Sequence, residues 1–317
     1  MIVAVARRIA LSLLTLVLLA IFVFVATEIM PGDALDVTLS ADELAMIPPE
    51  RLAQMKRELG LDRPAAERLV AFLAGTVQLD FGLTIISRTP AADIIAYPLR
   101  NSVLLAGAVL AAAIPLALAL GVAAAYRYRR ALDNAVSAGA IIGYSVPEFV
   151  IATVLVILFA VLWPLFPATI TAATRDPAHV LLAAAPLPVA TVLIGSIAYL
   201  ARILRVGMIE ALASDFVERL RLTGVPEWRV LLLHALPAGV IPSLTAMALY
   251  AASLVSGIVV VELVFAYPGL GQELVRAVTR REVHVIQAIA LSSAVVVVGL
   301  NLVADLAILL LDPRTRR

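Results

Sequence analysis

The sequence predicts an all-α polytopic membrane protein with six transmembrane helices, a large external loop and a cytoplasmic elbow. Composition is the first reason. Hydrophobic residues make up 62% of the 317 and charged residues only 15%, with a mean hydropathy of +1.03. Ordinary soluble chains hold roughly 45–50% apolar and about 25% charged residues. The second reason is the presence of six apolar stretches near the ~20 residues that a ~30 Å hydrocarbon core requires. The third is that arginines gather on alternate sides of those stretches. The same figures exclude other classes. With 24 Lys+Arg against 23 Asp+Glu, there is no basic surplus for nucleic acid. The absence of cysteine removes disulfides, zinc–thiolate sites and cysteine nucleophiles together.

The first span, Ile9–Ala26, carries only Ser12 and Thr15 as polar residues. It is longer than the 7–15-residue core of a signal peptide, so a retained span is expected. Val103–Ala125 is free of charge, Ala135–Phe166 is long and contains Glu148, and Val180–Leu200 and Ala238–Val261 are again uncharged. Val285–Leu311 has one acid, Asp305, near its end. Pro115, Pro147, Pro186, Pro188 and Pro242 lie within these stretches. In a bundle the freed carbonyls find other donors, so kinks are expected rather than breaks.

Short-loop arginines set the orientation. With both termini cytoplasmic, the inner segments hold thirteen arginines and the short outer loops four: Arg175, Arg276, Arg280 and Arg281. Residues 30–100 exceed the ~60-residue reach of that rule. This segment has ten acids and seven bases and reads as an extracytoplasmic cap with short helices at Glu50–Leu59 and Pro64–Leu79. It is either packing on the bundle or a docking platform. The chain thus divides into a terminus and first span (1–29), the cap (30–100) and a five-helix core (101–317).

Within the core, residues 207–237 are unusual. From Ile209, apolar positions fall at 209, 212, 213, 216, 217 and 220 and polar ones at 210, 214, 215, 218, 219 and 221. That is an amphipathic helix of about three turns. Gly224 supplies a stop, and Pro226-Glu227 a fresh start. A lipid-lying helix would be mainly basic on its polar face; Asp215 and Glu218 beside Arg219 and Arg221 suit a protein partner instead.

The chain has one lysine, Lys56, outside any glycine-rich loop, so a P-loop is absent. Three scattered histidines show no metal spacing. No catalytic residue, bound cofactor or metal site is expected. Asp305 lies near the end of its span and Glu262 ends its own, while Glu148 directly follows Pro147 inside its stretch; structural pairing or capping is expected for each. Gly139-Ala-Ile-Ile-Gly143 is a small-xxx-small packing face.

The chain resembles the permease subunits of bacterial ABC importers, in particular the first permease of the dipeptide/oligopeptide/nickel group. In the cytoplasmic signature, Glu218 matches the acid, Gly224 the glycine, and Leu236-Pro237 the closing pair. Arg219 and Leu220 stand in place of two alanines, and His234 in place of isoleucine. Further phrases match along the chain: Met30-Pro31-Gly32-Asp33, Glu58 to Pro64, Asp80-Phe81-Gly82, Asp215-Phe216-Val217, Val260-Val261-Glu262, Pro268-Gly269-Leu270-Gly271 and Leu311-Asp312-Pro313-Arg314. Phe166-Pro167-Ala168-Thr169 stands where the group has another phrase.

The resemblance implies a location in the cytoplasmic (inner) membrane and the following partners: a homologous second permease, two ATP-binding subunits that hold ATP and Mg, and an extracytoplasmic substrate-binding protein. It implies that 209–224 is a coupling helix whose ATPase contacts are Asp215, Phe216, Val217, Glu218, Arg219, Arg221 and Gly224. Asn101, Tyr144 and Ser145 are candidates for the translocation path, and Asp62, Arg63 and Asp80 for binding-protein docking. Short peptides are the default cargo, with nickel chelates, opines and oligosaccharides as alternatives. A secondary transporter or a non-transporting membrane scaffold are the competing functions. A carrier would show inverted-repeat or broken-helix symmetry, which is not seen in the sequence.

Overall fold

The computed structural model describes residues 2–28, 46–58, 63–84, 88–280 and 282–311. Among them the only strand-like feature is one bridge, Leu83 to Pro90; regular structure is otherwise helical, as the composition predicts. Among the described residues five helices are long and apolar enough to cross a membrane, or six when one bent pair is counted as a single span.

Helix α1 (Ile2–Glu28) rises about 40 Å at 1.5 Å per residue, enough for a bilayer. Its hydroxyls are satisfied within the helix: Thr15 donates to the Leu11 carbonyl at 2.9 Å and Thr27 to that of Val23 at 3.0 Å. Helices α2 (Pro49–Glu58) and α3 (Ala65–Val77) follow, near the two positions expected for the cap. Phe72 of α3 meets Phe24 of α1 at 5.6 Å between ring centroids, and Arg68 pairs with Glu28. Phe81 is buried among Ala91, Ile95, Leu270 and Val285, which ties the end of this segment to the bundle.

Helix α4 (Ala91–Tyr126) runs through Pro98 and Pro115 unbroken. The stretch read as one span at Ala135–Phe166 is instead two helices bent by 98°. These are α5 (Ala131–Ser145) and α6 (Glu148–Val156), the latter continued by a π-helical turn, Ile157–Leu162. Pro147 makes the break. Val146 before it is extended (φ −83°, ψ 125°), the conformation a following proline favours. Next, α7 (Ala178–Ala183) is separate from α8 (Pro186–Leu212). Pro186 opens α8, where a missing N–H costs nothing, so the fourth span begins later than the apolar run does.

The elbow contains α9 (Asp215–Leu222), the single turn α10 (Glu227–Arg229) and a π-helical turn, Val230–Ala235. Helix α11 (Leu236–Gly257) contains Pro242 without ending there, and α12 (Val259–Val264) continues it after Ile258. Helices α13 (Leu270–Thr279) and α14 (Val283–Leu311) are the last described.

Helix α8 is central, packed on α4, α5, α6 and α11. Lipid is as apolar as leucine, so helices associate through close packing rather than the hydrophobic effect. Glycines set the closest approaches. A methyl on Gly207 would overlap the carbonyl of Gly239 on α11, and one on Gly121 would lie 2.9 Å from Leu204 Cβ. The expected Gly139–Gly143 face is used by half: Gly143 lies against Ala198, while Gly139 opens on space. Helices α1 and α14 are antiparallel, since Arg8 pairs with Asp305 at 3.0 Å while Gln287 donates to Thr27 at 2.6 Å.

Candidate functional site

The elbow is built from local rules. Ser214 is extended (φ −80°, ψ 149°) and ends the run of α8. Asp215 and Glu218 occupy the first turn of α9 and Arg219 and Arg221 the last, each sign at the helix end whose partial charge it offsets. At the far end Gly224 has φ +78°. Its N–H donates to the Arg221 carbonyl at 3.0 Å and that of Val225 to the Leu220 carbonyl at 3.1 Å. This pair of bonds is a Schellman cap, and Leu220 and Val225 both pack on the apolar cluster beneath. Arg221 grips Glu227 through Nη2 at 2.6 Å and Nε at 3.2 Å, which joins the two arms of the elbow. That contact holds the Glu227 carboxyl below its usual range and raises the Arg221 guanidinium.

The amphipathic face divides in a way the sequence did not resolve. Val217 is fully buried, in a cluster with Ala125, Met208, Ala211, Val230 and Ala235. It anchors the elbow to its own bundle and, unlike its expected fellow contacts, has no exposed surface. Phe216 is 42% exposed and Leu222 81%. Asp215, Glu218 and Arg219 are exposed as well, and among the described residues none of the three has an ion-pair partner. Leu222 and Trp228 are exposed apolar groups that the sequence reading missed. Their signal was apolar side chains flanking the Gly224 stop.

A second constellation lies at the opposite end of the bundle. Asn101 is fully buried and donates to the carbonyls of Pro268 at 2.8 Å and Thr174 at 2.9 Å. Its own carbonyl accepts from the Tyr267 hydroxyl at 2.9 Å, and its side-chain oxygen from Arg100 at 2.9 Å. Burial pushes the Tyr267 phenol above its ordinary value. Ser102 donates to Glu262, which also accepts from the Gly271 amide at 2.6 Å, while Ser102 accepts from the Leu270 amide at 2.8 Å. These bonds knot α4, the 170–176 loop and the 262–271 turn. They also explain the glycines: a methyl at Gly269 would overlap the Glu262 carboxylate, and one at Gly271 would come within 2.7 Å of Val259. The Asn101 side chain, a candidate for the path, is buried and engaged in these bonds.

The other candidates are dispersed. Tyr144 (61% exposed) and Ser145 lie at the end of α5, beside the Pro147 break. Arg63 and Asp80 are exposed, and Asp80 accepts from the Gly82 amide at 3.0 Å in its own turn. Asp62 lies outside the described residues, as do Met30 to Asp33 and Asp312 to Arg314. Near the elbow end, Asp133 receives Arg205 through two bonds, one of 2.8 Å, and the Arg129 amide at 2.8 Å.

A helical bundle with spans of this length and apolarity defines a polytopic membrane protein. The family described as binding-protein-dependent transport system inner membrane component matches residues 117–317. A putative peptide transport system permease protein of Brucella abortus (strain 2308) is 32% identical over 310 residues, covering 98% of each chain. A probable peptide ABC transporter permease protein of Sinorhizobium fredii is 28% identical, again over 98% of each chain. The dipeptide transport system permease protein of Escherichia coli K12 is 28% identical over 333 residues, 98% of this chain and 97% of its own. The chain belongs to the family of binding-protein-dependent transport system inner membrane components. The alignments take in the 30–100 segment.

Proposed function

We propose that this chain is a permease subunit of an ATP-driven importer of short peptides, set in the inner membrane with both termini in the cytoplasm. The relatives named for peptide and dipeptide transport support the cargo class, and the thirteen-to-four arginine bias supports the orientation. Two ATP-binding subunits, holding ATP and its magnesium, dock on the elbows of this chain and of a homologous second permease. A substrate-binding protein delivers cargo to the cap end, where Arg63 and Asp80 are exposed.

The carrying observation is the exposure of Phe216 and Leu222 on a helix whose other side, at Val217, is sunk in the bundle. An ATPase gripping the exposed side moves α9. Val217 transmits the motion to α8 through Met208 and to the start of α11 through Val230 and Ala235. Asp215, Glu218 and Arg219 supply rim charges that set register. The switch between inward- and outward-open states needs only a few kcal/mol between them, so that partner contacts select one.

The chain has no cysteine of its own, which makes a cross-linking test clean. Leu222→Cys in the assembled transporter is expected to cross-link to an ATP-binding subunit, and to be unreachable by membrane-impermeant thiol reagents added outside cells. Labelling from outside, or ATP-independent uphill transport by the purified subunit, would overturn the reading.

A further inference from the structure

The acidic residues in the spans fall into three groups. Asp133 has Arg205, Glu262 has Ser102 and the Gly271 amide, and Asp305 has Arg8. Asp93 and Glu210 stand in the end turns of α4 and α8, exposed. Glu148, half-buried at the start of α6 after the Pro147 break, has no cation or hydrogen-bond donor on it among the described residues. A lone carboxylate at membrane depth is tolerated where it meets water or a charged visitor, not lipid.

Its surroundings are aromatic. Tyr144 meets Tyr199 at 5.6 Å between centroids, and Tyr199 stacks on Tyr250 at 4.7 Å. Glu148 lies within electrostatic reach of Tyr250, whose hydroxyl donates to Ser196 at 3.0 Å. Tyr199 and Tyr250 sit near the middle of α8 and α11, so the group is at mid-depth. A methyl added at Gly195, one turn before Tyr199 on the same face, would meet no atom within 4 Å. The α8 face beside the tyrosines is therefore open.

One carboxylate beside stacked phenol rings matches a small primary ammonium. The acid supplies the counter-charge and a charge-assisted hydrogen bond, and ring faces attract a cation through their quadrupole. A discontinuous helix at mid-depth is also a recurring frame for transporter binding sites. We propose that Glu148, with Tyr144, Tyr199 and Tyr250, forms a station in the translocation path that takes the amino-terminal ammonium of the peptide cargo. This rests on the peptide-permease reading. The carboxylate offsets the charge of the entering amine, which makes the passage cation-tolerant at its most apolar level.

The test uses the complete transporter in proteoliposomes with dialanine as cargo, measuring ATP-dependent uptake, subunit content and melting temperature. Uptake is expected to rank Glu148 wild type, then Glu148→Asp, then Glu148→Gln, then Glu148→Lys, with Glu148→Gln down about tenfold in apparent affinity. A merely structural role favours the isosteric glutamine over the shorter aspartate. Tyr199→Phe, which keeps the ring face, is expected to retain uptake that Tyr199→Leu loses. Glutamine transporting as well as wild type would overturn the station. So would a Glu148→Gln complex that sheds the second permease, or a loss of uptake matched by a fall in melting temperature, since those mark a pairing or helix-capping acid. If the wild-type complex takes up no dialanine, the peptide reading itself fails instead.

Discussion

A methyl group added at Gly269 would overlap the Glu262 carboxylate, whereas one added at Gly224 would meet no atom within 4 Å. The first glycine is required by space and the second by its backbone, at φ +78°. Alanine at either position is therefore destabilising for a different reason. Overpacking at Gly269 costs about 1–3 kcal/mol, and the left-handed conformation at Gly224 about 1–2 kcal/mol. The difference shows in the remedies. Gly224→Asn should be milder than Gly224→Ala, because asparagine tolerates that backbone. Gly269→Asn should be worse than Gly269→Ala, because it is larger. Thermal melting of the purified complex checks both orders; equal effects of alanine and asparagine at Gly224 would contradict the Schellman cap. Gly224 was legible in the sequence because its partners, Leu220 and Arg221, are within one turn. The purpose of Gly269 was not, because Glu262 is held by Ser102, which is 160 residues away in the chain.

At the scale of elements, the spans were legible because length and apolarity are local, while their breaks were not. Pro115 passes through α4, but Pro147 separates α5 from α6 by a 98° bend. Which proline breaks a helix depends on whether neighbouring helices satisfy the freed carbonyls, and that is a tertiary matter. The amphipathic period of the elbow was legible too, but it could not say that Val217 turns inward while Phe216 stays 42% exposed. The elbow's two arms are held by Arg221 and Glu227, whose carboxyl is depressed. A depressed carboxyl contributes stability that is present above its unfolded pKa and is lost as pH falls through the folded value. With an unfolded glutamate near 4.3 and the folded value below it, the tie is intact across pH 6–8 and is lost only in acid. Both side chains are more than a third exposed, so its contribution is under about 1 kcal/mol. Glu227→Gln should accordingly leave melting nearly unchanged at pH 7 and weaken ATPase co-purification modestly. A sharp change in co-purification between pH 6 and 8 would show that another group controls docking.

Across the whole molecule, the elbow and the Asn101–Glu262 knot occupy opposite ends of the bundle, and their bonding differs in kind. The elbow presents Phe216, Leu222 and Trp228 outward. The knot turns Asn101, Ser102 and Glu262 entirely inward and binds α4, the 170–176 loop and the 262–271 turn into one body. An end bonded this way moves as a unit, so the alternation proposed for the transporter requires it to shift against a partner subunit rather than to open within itself. Damage at the two ends should separate accordingly. Asn101→Ala leaves the carbonyls of Pro268 and Thr174 without their donor, at about 1–3 kcal/mol for each buried group that stays unpaired. It should lower the melting temperature of the complex while ATP-binding subunits still co-purify. Phe216→Ser removes exposed apolar surface from a helix held by Val217, so melting should hold while co-purification falls. If Asn101→Ala released the ATPases and Phe216→Ser instead melted the bundle, the assignment of anchoring to one end and docking to the other would be reversed.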